Sequence, residues 1–235
     1  MQGGTRAQAR RRAGIRLGVA TGLLGVLVAA PPERASAAVC LGVEFPDRIR
    51  AAGTTLTLNG LGIRKATFLR IHVYVAALYL PNGPVTSGDT GASAASSASG
   101  AASGAASDGV RMTDARAIVQ SRAPVELVLR FVRGVGARDI RHAFEEGFAT
   151  EGDERPRSML AARIATLNGW MEDMRAGETM TFLRLPGRGV EVSLDGRTKG
   201  VIPGDDFADV LFGIWLGDHP PNPELKAGLL GGPCR

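Results

Sequence analysis

The run from Phe68 to Leu80, Phe-Leu-Arg-Ile-His-Val-Tyr-Val-Ala-Ala-Leu-Tyr-Leu, constrains the fold more than any other stretch of the chain. Its alternation and its β-branched and aromatic content predict a strand. Leu69, Ile71, Val73, Val75, Ala77 and Tyr79 then share one face, and Arg70, His72, Tyr74, Ala76 and Leu78 the other. Tyr74 points away from the more regular apolar face, where a sheet forms one wall of a cleft. Just upstream, Leu58-Asn59-Gly60-Leu61-Gly62-Ile63-Arg64 brings in a Gly-x-Arg step, so Arg64 and Tyr74 stand at the two ends of one continuous piece of framework. The plain reading makes Tyr74 an amphipathic core residue with its hydroxyl on backbone, and Arg64 a surface turn residue.

Composition is informative only after the N-terminus is set aside. Arg6, Arg10, Arg11, Arg12 and Arg16 form a basic region, Leu17 to Ala30 is apolar, and Ala35-Ser36-Ala37-Ala38 supplies small residues, so residues 1–38 read as a secretory signal. The apolar run is shorter than the roughly 20 residues a membrane-spanning helix needs. Val39 stands where a lipidated Cys40 would want a small residue, which favours simple cleavage near Ala38 and a protein exported to the periplasm. Six arginines and one glutamate leave with the signal, taking Lys+Arg from 28 to 22 and Asp+Glu from 23 to 22. The remaining chain is near neutral, which argues against a nucleic-acid partner.

Residues 39–235 are of a size for one domain. Asn82 to Gly109 is almost entirely Gly, Ala, Ser, Thr and Asp and buries too little apolar surface to offset its ordering entropy, so 82–109 reads as an insertion in a surface loop. The rest is an α+β pattern. Strands are predicted at Val43 to Ile49, Thr54 to Leu58, Phe68 to Leu80, Val125 to Val132, Thr179 to Leu185, Val190 to Leu194 and Thr198 to Ile202. Helices are predicted at Thr113 to Ser121, Ala137 to Thr150, Pro156 to Met174, Gly204 to Leu216 and Asn222 to Leu229. Cys40 and Cys234, the only cysteines, pair in an oxidising compartment or remain two free thiols. With three histidines and no cluster of metal-ligand spacing, neither a metal nor any other cofactor is expected.

His142, Glu145 and Glu146 invite a catalytic reading of the second predicted helix. Ile140, Phe144 and Phe148 take its buried stripe, and adjacent glutamates point in different directions, so a solvated face is the simpler account. No serine sits in a Gly-x-Ser-x-Gly elbow and no Gly-rich phosphate loop precedes a helix. On the fourth helix Asp205 and Asp206 sit at the positive end, and Phe207, Val210, Leu211, Ile214 and Trp215 form an apolar stripe.

Several separated motifs resemble, in one order, the chalcone isomerase-like family. They are Gly42-Val43-Glu44-Phe45-Pro46, Leu58 to Arg64, Val73 to Leu80, Ile202-Pro203-Gly204-Asp205-Asp206-Phe207 and Ile214-Trp215-Leu216-Gly217-Asp218. The chain looks like the bacterial, exported branch. The resemblance implies an open-faced β-sandwich, a large antiparallel sheet with helices packed on one face and a cleft between. Of the residues used by the plant isomerases, only the arginine is matched, by Arg64. Tyr74 stands for the strand threonine, Asp139 and Glu146 stand near the helix tyrosine and asparagine, and Ile214 replaces the late hydroxyl. Losing one oriented donor to an oxyanion commonly costs about a hundredfold in rate, so flavanone formation is not expected. An arginine with a strand tyrosine instead resembles the family's fatty-acid-binding members, which implies Arg64 and Tyr74 as the ligand-binding pair for a carboxylate. The competing expectations are an isomerase or intramolecular lyase of an enone-like substrate, with Arg64 catalytic, and a structural envelope protein with a closed cleft.

Overall fold

The computed structural model describes residues 37–66, 71–82, 112–151 and 154–235, the side chains of 154–157 excepted. The signal segment apart from Ala37 and Ala38, the 82–109 insertion apart from Asn82, and the start of the strand predicted from Phe68 lie outside the described residues.

Two strands, β1 (Ala37–Cys40) and β2 (Val43–Pro46), form a hairpin of their own. The main sheet is a seven-stranded antiparallel meander of β3 (Arg48–Ala51), β4 (Thr54–Ala66), β5 (Ile71–Pro81), β6 (Val125–Phe131), β7 (Thr179–Leu185), β8 (Gly189–Leu194) and β9 (Arg197–Ile202), in that spatial order. α1 (Ala115–Val119) precedes β6, α2 (Ala137–Glu151) and α3 (Glu154–Trp170) lie between β6 and β7, and α4 (Asp205–Leu216) and α5 (Pro223–Leu229) close the chain. No helix among the described residues is long and apolar enough to cross a membrane.

β5 is the strand about which the molecule is organised. Tyr74, Ala76, Leu78 and Leu80 point into the core beneath the helices, with Leu127, Leu129, Phe131, Phe144, Phe182, Leu211 and Trp215. Val75, Ala77 and Tyr79 enter a second core with Cys40, Phe45, Leu56, Leu61 and Ile63. Burial on both faces is why this run is apolar at successive positions. The Tyr79 hydroxyl donates to the Pro46 carbonyl at 3.0 Å and fastens the hairpin over the second core. Cys40 and Cys234 are joined as a disulfide, with Cα atoms 6.1 Å apart, so the free-thiol alternative does not hold.

The structure corrects three sequence boundaries. The run from Val43 to Ile49 divides at Asp47, whose carbonyl accepts from the Leu58 amide at 2.8 Å. The strand expected to end at Leu58 continues as β4 to Ala66, through two glycines that sequence rules treat as punctuation. α5 lies so close that a Cβ on Gly60 would fall 2.2 Å from the Gly228 carbonyl oxygen, and one on Gly62 2.3 Å from that of Leu225. Asn59, buried where the register shifts, donates to the carbonyls of Leu229 (2.8 Å) and Met112 (3.0 Å) and accepts from the Met112 amide (2.7 Å). Finally, the helix expected to reach Met174 stops at Trp170. Asp173 accepts the Ala137 amide at 2.7 Å, satisfying the exposed start of α2, and Met174 forms a β-bridge with Val135.

Candidate functional site

Antiparallel pairing of β4 with β5 sets Arg64 directly opposite Tyr74. The two residues are therefore direct neighbours across paired strands, not the two ends of one continuous piece of framework. The register shifts just beyond them, where Lys65 pairs with His72 and Val73 is left unpaired. On its other side Tyr74 pairs with Phe131 of β6, the rings meeting edge to face with centroids 5.7 Å apart.

Each polar group here is held by an element distant in sequence. Arg64 Nη1 donates to the carbonyl of Lys65 and, at 3.3 Å, to that of Pro221 in the loop between α4 and α5. Asn222 in the same loop binds the backbone of β4 twice, donating to the Ile63 carbonyl (3.1 Å) and accepting from the Lys65 amide (3.2 Å). Trp215 of α4 packs against Phe182 and Phe144, with centroids 5.5 and 6.2 Å away, and its indole Nε1 donates to Tyr74 Oη at 2.9 Å. Burial pushes the Tyr74 phenol above its ordinary pKa, opposed by the hydrogen bond from Trp215 and the charge of Arg64. Tyr74 is thus a neutral O–H across the physiological range.

A cleft of about 960 Å³ opens between this part of the sheet and α2. Leu129, Phe131, Ile140, Phe144, Met180 and Ile214 give it apolar walls, and Arg64, Tyr74 and Trp215 line it as well. Asp139, His142 and Glu146 belong to the same lining and are exposed, with His142 Nε2 3.3 Å from Glu146 Oε1. These two are therefore solvated, as the helix pattern implied, yet they stand at the cleft. Glu145 is turned away and accepts from Asn168 at 3.3 Å. The positions aligned with plant isomerase residues, Asp139, Glu146 and Ile214, all reach the cleft that holds Arg64 and Tyr74. Sequence reasoning took Trp215 for core and missed its polar role; the signal was an indole N–H, which needs an acceptor once buried.

The geometry defines an α+β protein with a large antiparallel sheet and an apolar cleft containing a small group of hydrogen-bond donors. The model of the chalcone isomerase-like family matches residues 37–98 and 110–231, and the chain belongs to that family. Among solved structures it is similar to a fatty-acid binding protein of Arabidopsis thaliana, with a TM-score of 0.62 and 17% identity over 83% of this chain and 96% of that one. At that identity the likeness establishes the fold. Comparison with curated protein sequences finds no match.

Proposed function

We propose that the cleft binds an apolar carboxylate, a fatty acid or a similar amphiphile, without chemical conversion. The observation that carries this reading is the placement of Arg64 beside Tyr74 on paired strands at an apolar-walled cleft. Arginine has donors only, and a neutral tyrosine has one O–H to give, so the pair suits a group rich in acceptors. The similarity to a fatty-acid binding protein supports the same reading. An arginine–carboxylate hydrogen bond is worth roughly 1.5 to 3 kcal/mol, against about 0.8 for each buried methylene. The tail thus dominates affinity and the polar pair sets orientation. Binding in the periplasm after export is part of the proposal, supported by the Arg-rich, apolar and Ala-rich N-terminal pattern and by the disulfide.

Native mass spectrometry of protein purified without detergent, followed by denaturation, tests the reading: a stoichiometric fatty acid is expected among the released molecules. Arg64→Ala should weaken dodecanoic acid by roughly 10- to 100-fold and 1-dodecanol much less, because the alcohol loses a hydrogen bond without the charge pairing. Equal weakening of both would remove the carboxylate contact, and turnover of an enone by the purified protein would replace the carrier by the isomerase.

A further inference from the structure

The Tyr74 hydroxyl carries more information than its position. An indole N–H only donates, so at the 2.9 Å contact the phenol oxygen is the acceptor and keeps its own proton. Among the described residues, no other group hydrogen-bonds to that hydroxyl. Tyr74 is buried, at 9% relative exposure, and lines the cleft, so its O–H, without an acceptor among the described residues, is placed to donate to a group in the cleft. Arg64 opposite it adds further donors and no acceptor.

We infer that Trp215 is a positioning residue for headgroup selection: by occupying the phenol oxygen of Tyr74, it commits that hydroxyl to donate into the cleft. This deepens the binding function proposed above and rests on it. The consequence is a polar end that reads a headgroup by what it can accept. A carboxylate oxygen takes the bonds from Tyr74 and Arg64 and brings no proton of its own. An alcohol also accepts from them, but its hydroxyl proton then faces an oxygen already engaged by Trp215. The alcohol therefore leaves one donor unsatisfied where the acid leaves none. Removing the indole N–H frees the phenol oxygen to accept, which should relieve the alcohol and leave the acid with a less firmly oriented donor.

Trp215→Phe retains an aromatic ring against Phe144 and Phe182 and deletes the N–H. Any loss of packing weakens both ligands alike, so the readout is the ratio of affinities for dodecanoic acid and 1-dodecanol. The ratio should fall by about fivefold, the worth of one neutral hydrogen bond, and in a Tyr74→Phe background Trp215→Phe should leave it unchanged. A ratio that stays at the wild-type value in Trp215→Phe, with both affinities lowered together, overturns the role of Trp215 and spares the carrier. A wild-type chain that binds neither probe sinks the carrier and the headgroup selection with it. Should Trp215→Phe fail to fold, the hydrogen bond is read from the other side. In Tyr74→Phe the indole ¹⁵N–¹H resonance of Trp215 should shift while that of Trp170, the second tryptophan, stays in place. An unmoved Trp215 resonance refutes the commitment of the phenol oxygen.

Discussion

Substituting Gly60 by alanine tests how the C-terminal helix is held and, through it, how Arg64 is held. An added Cβ would lie 2.2 Å from the Gly228 oxygen, 2.7 Å from the Leu229 oxygen and 2.8 Å from the Gly231 nitrogen. All three are backbone atoms, so no rotamer change relieves the overlap and α5 must retreat from β4. Overpacking of this kind costs about 1 to 3 kcal/mol. Retreat also stretches the buried bond from Asn59 to the Leu229 carbonyl, worth about 1 kcal/mol, and loosens Leu225 and Leu229, both fully buried. A loss of about 3 to 5 kcal/mol is expected, which for a domain of this size lowers Tm by roughly 10 °C. Because Pro221 and Asn222 precede α5 directly and hold Arg64 and Lys65, the same substitution should weaken acid binding well below the melting temperature. Gly169→Ala is the control: it lies in α3 with no atom within 4 Å of the added methyl, and exchanging glycine for alanine in a helix is neutral or stabilising by up to about 1 kcal/mol. Thermal unfolding of both variants decides the matter. A Gly60→Ala protein within about 1 kcal/mol of wild type would show that α5 is not packed on the backbone of β4 as described.

Two further outcomes follow from charge and covalent structure. Glu126 on β6 is pushed up to about 7, by burial first and by the charge of Glu191 second, whereas its unfolded carboxyl titrates at 4.5. Between these values the folded chain binds more protons than the unfolded one, so stability falls as pH rises through that window. Glu126→Gln should flatten this slope in urea melts and stabilise the protein at pH 8 by no more than about 3 kcal/mol, and an unaltered slope would place the charge elsewhere. The Cys40–Cys234 link closes a loop of 194 residues, for which the chain-entropy treatment gives about 5 kcal/mol. Cys234→Ser should lower the urea midpoint strongly and abolish its sensitivity to reductant, and a midpoint equal to that of the oxidised wild type would contradict the pairing.

How far the sequence led depends on whether the decisive contact was local. β6 to β8 alternate in the ordinary way, and the stripes Ile140, Phe144, Phe148 and Phe207, Leu211, Ile214, Trp215 mark the faces that α2 and α4 bury. The continuation of β4 was not legible, because Gly60 and Gly62 break every local signal for a strand; they are explained by a helix about 165 residues later in the chain. The side-by-side placement of Arg64 and Tyr74 was hidden for the same reason, since their register depends on β4 reaching Ala66. β1 was masked by the signal-like composition that runs into it. Arg184 is a different kind of miss. It occupies an inward position of β7 with no exposed surface, bonded to Asp209 at 3.0 Å and stacked on Phe212 at 5.0 Å, and nothing in a Thr-Phe-Leu-Arg-Leu run distinguishes it from a surface arginine.

The segment Leu58 to Arg64 divides its labour in a way that bears on what a family motif can say. Asn59, Gly60 and Gly62 serve α5, by hydrogen bond and by close approach, and Arg64 alone reaches the cleft. A match to that motif is mostly a match to a packing solution, so it licenses the fold and leaves the chemistry to be argued from the cleft. There the charge distribution has a consequence for orientation. Asp139 and Glu146 place two carboxylates on the α2 side, where a ligand carboxylate meets like charge, whereas Arg64 and the phenol O–H of Tyr74 stand on the sheet side. On the carrier function proposed above, a bound acid would turn its headgroup against β4 and β5 and lay its tail along Leu129, Ile140, Phe144 and Met180. Glu146→Gln should then strengthen acid binding slightly and leave alcohol binding alone, an effect that fades with added salt because the group is exposed. Equal gains for both ligands would mean that the headgroup does not sense the charge on α2, and the orientation argued here would be wrong.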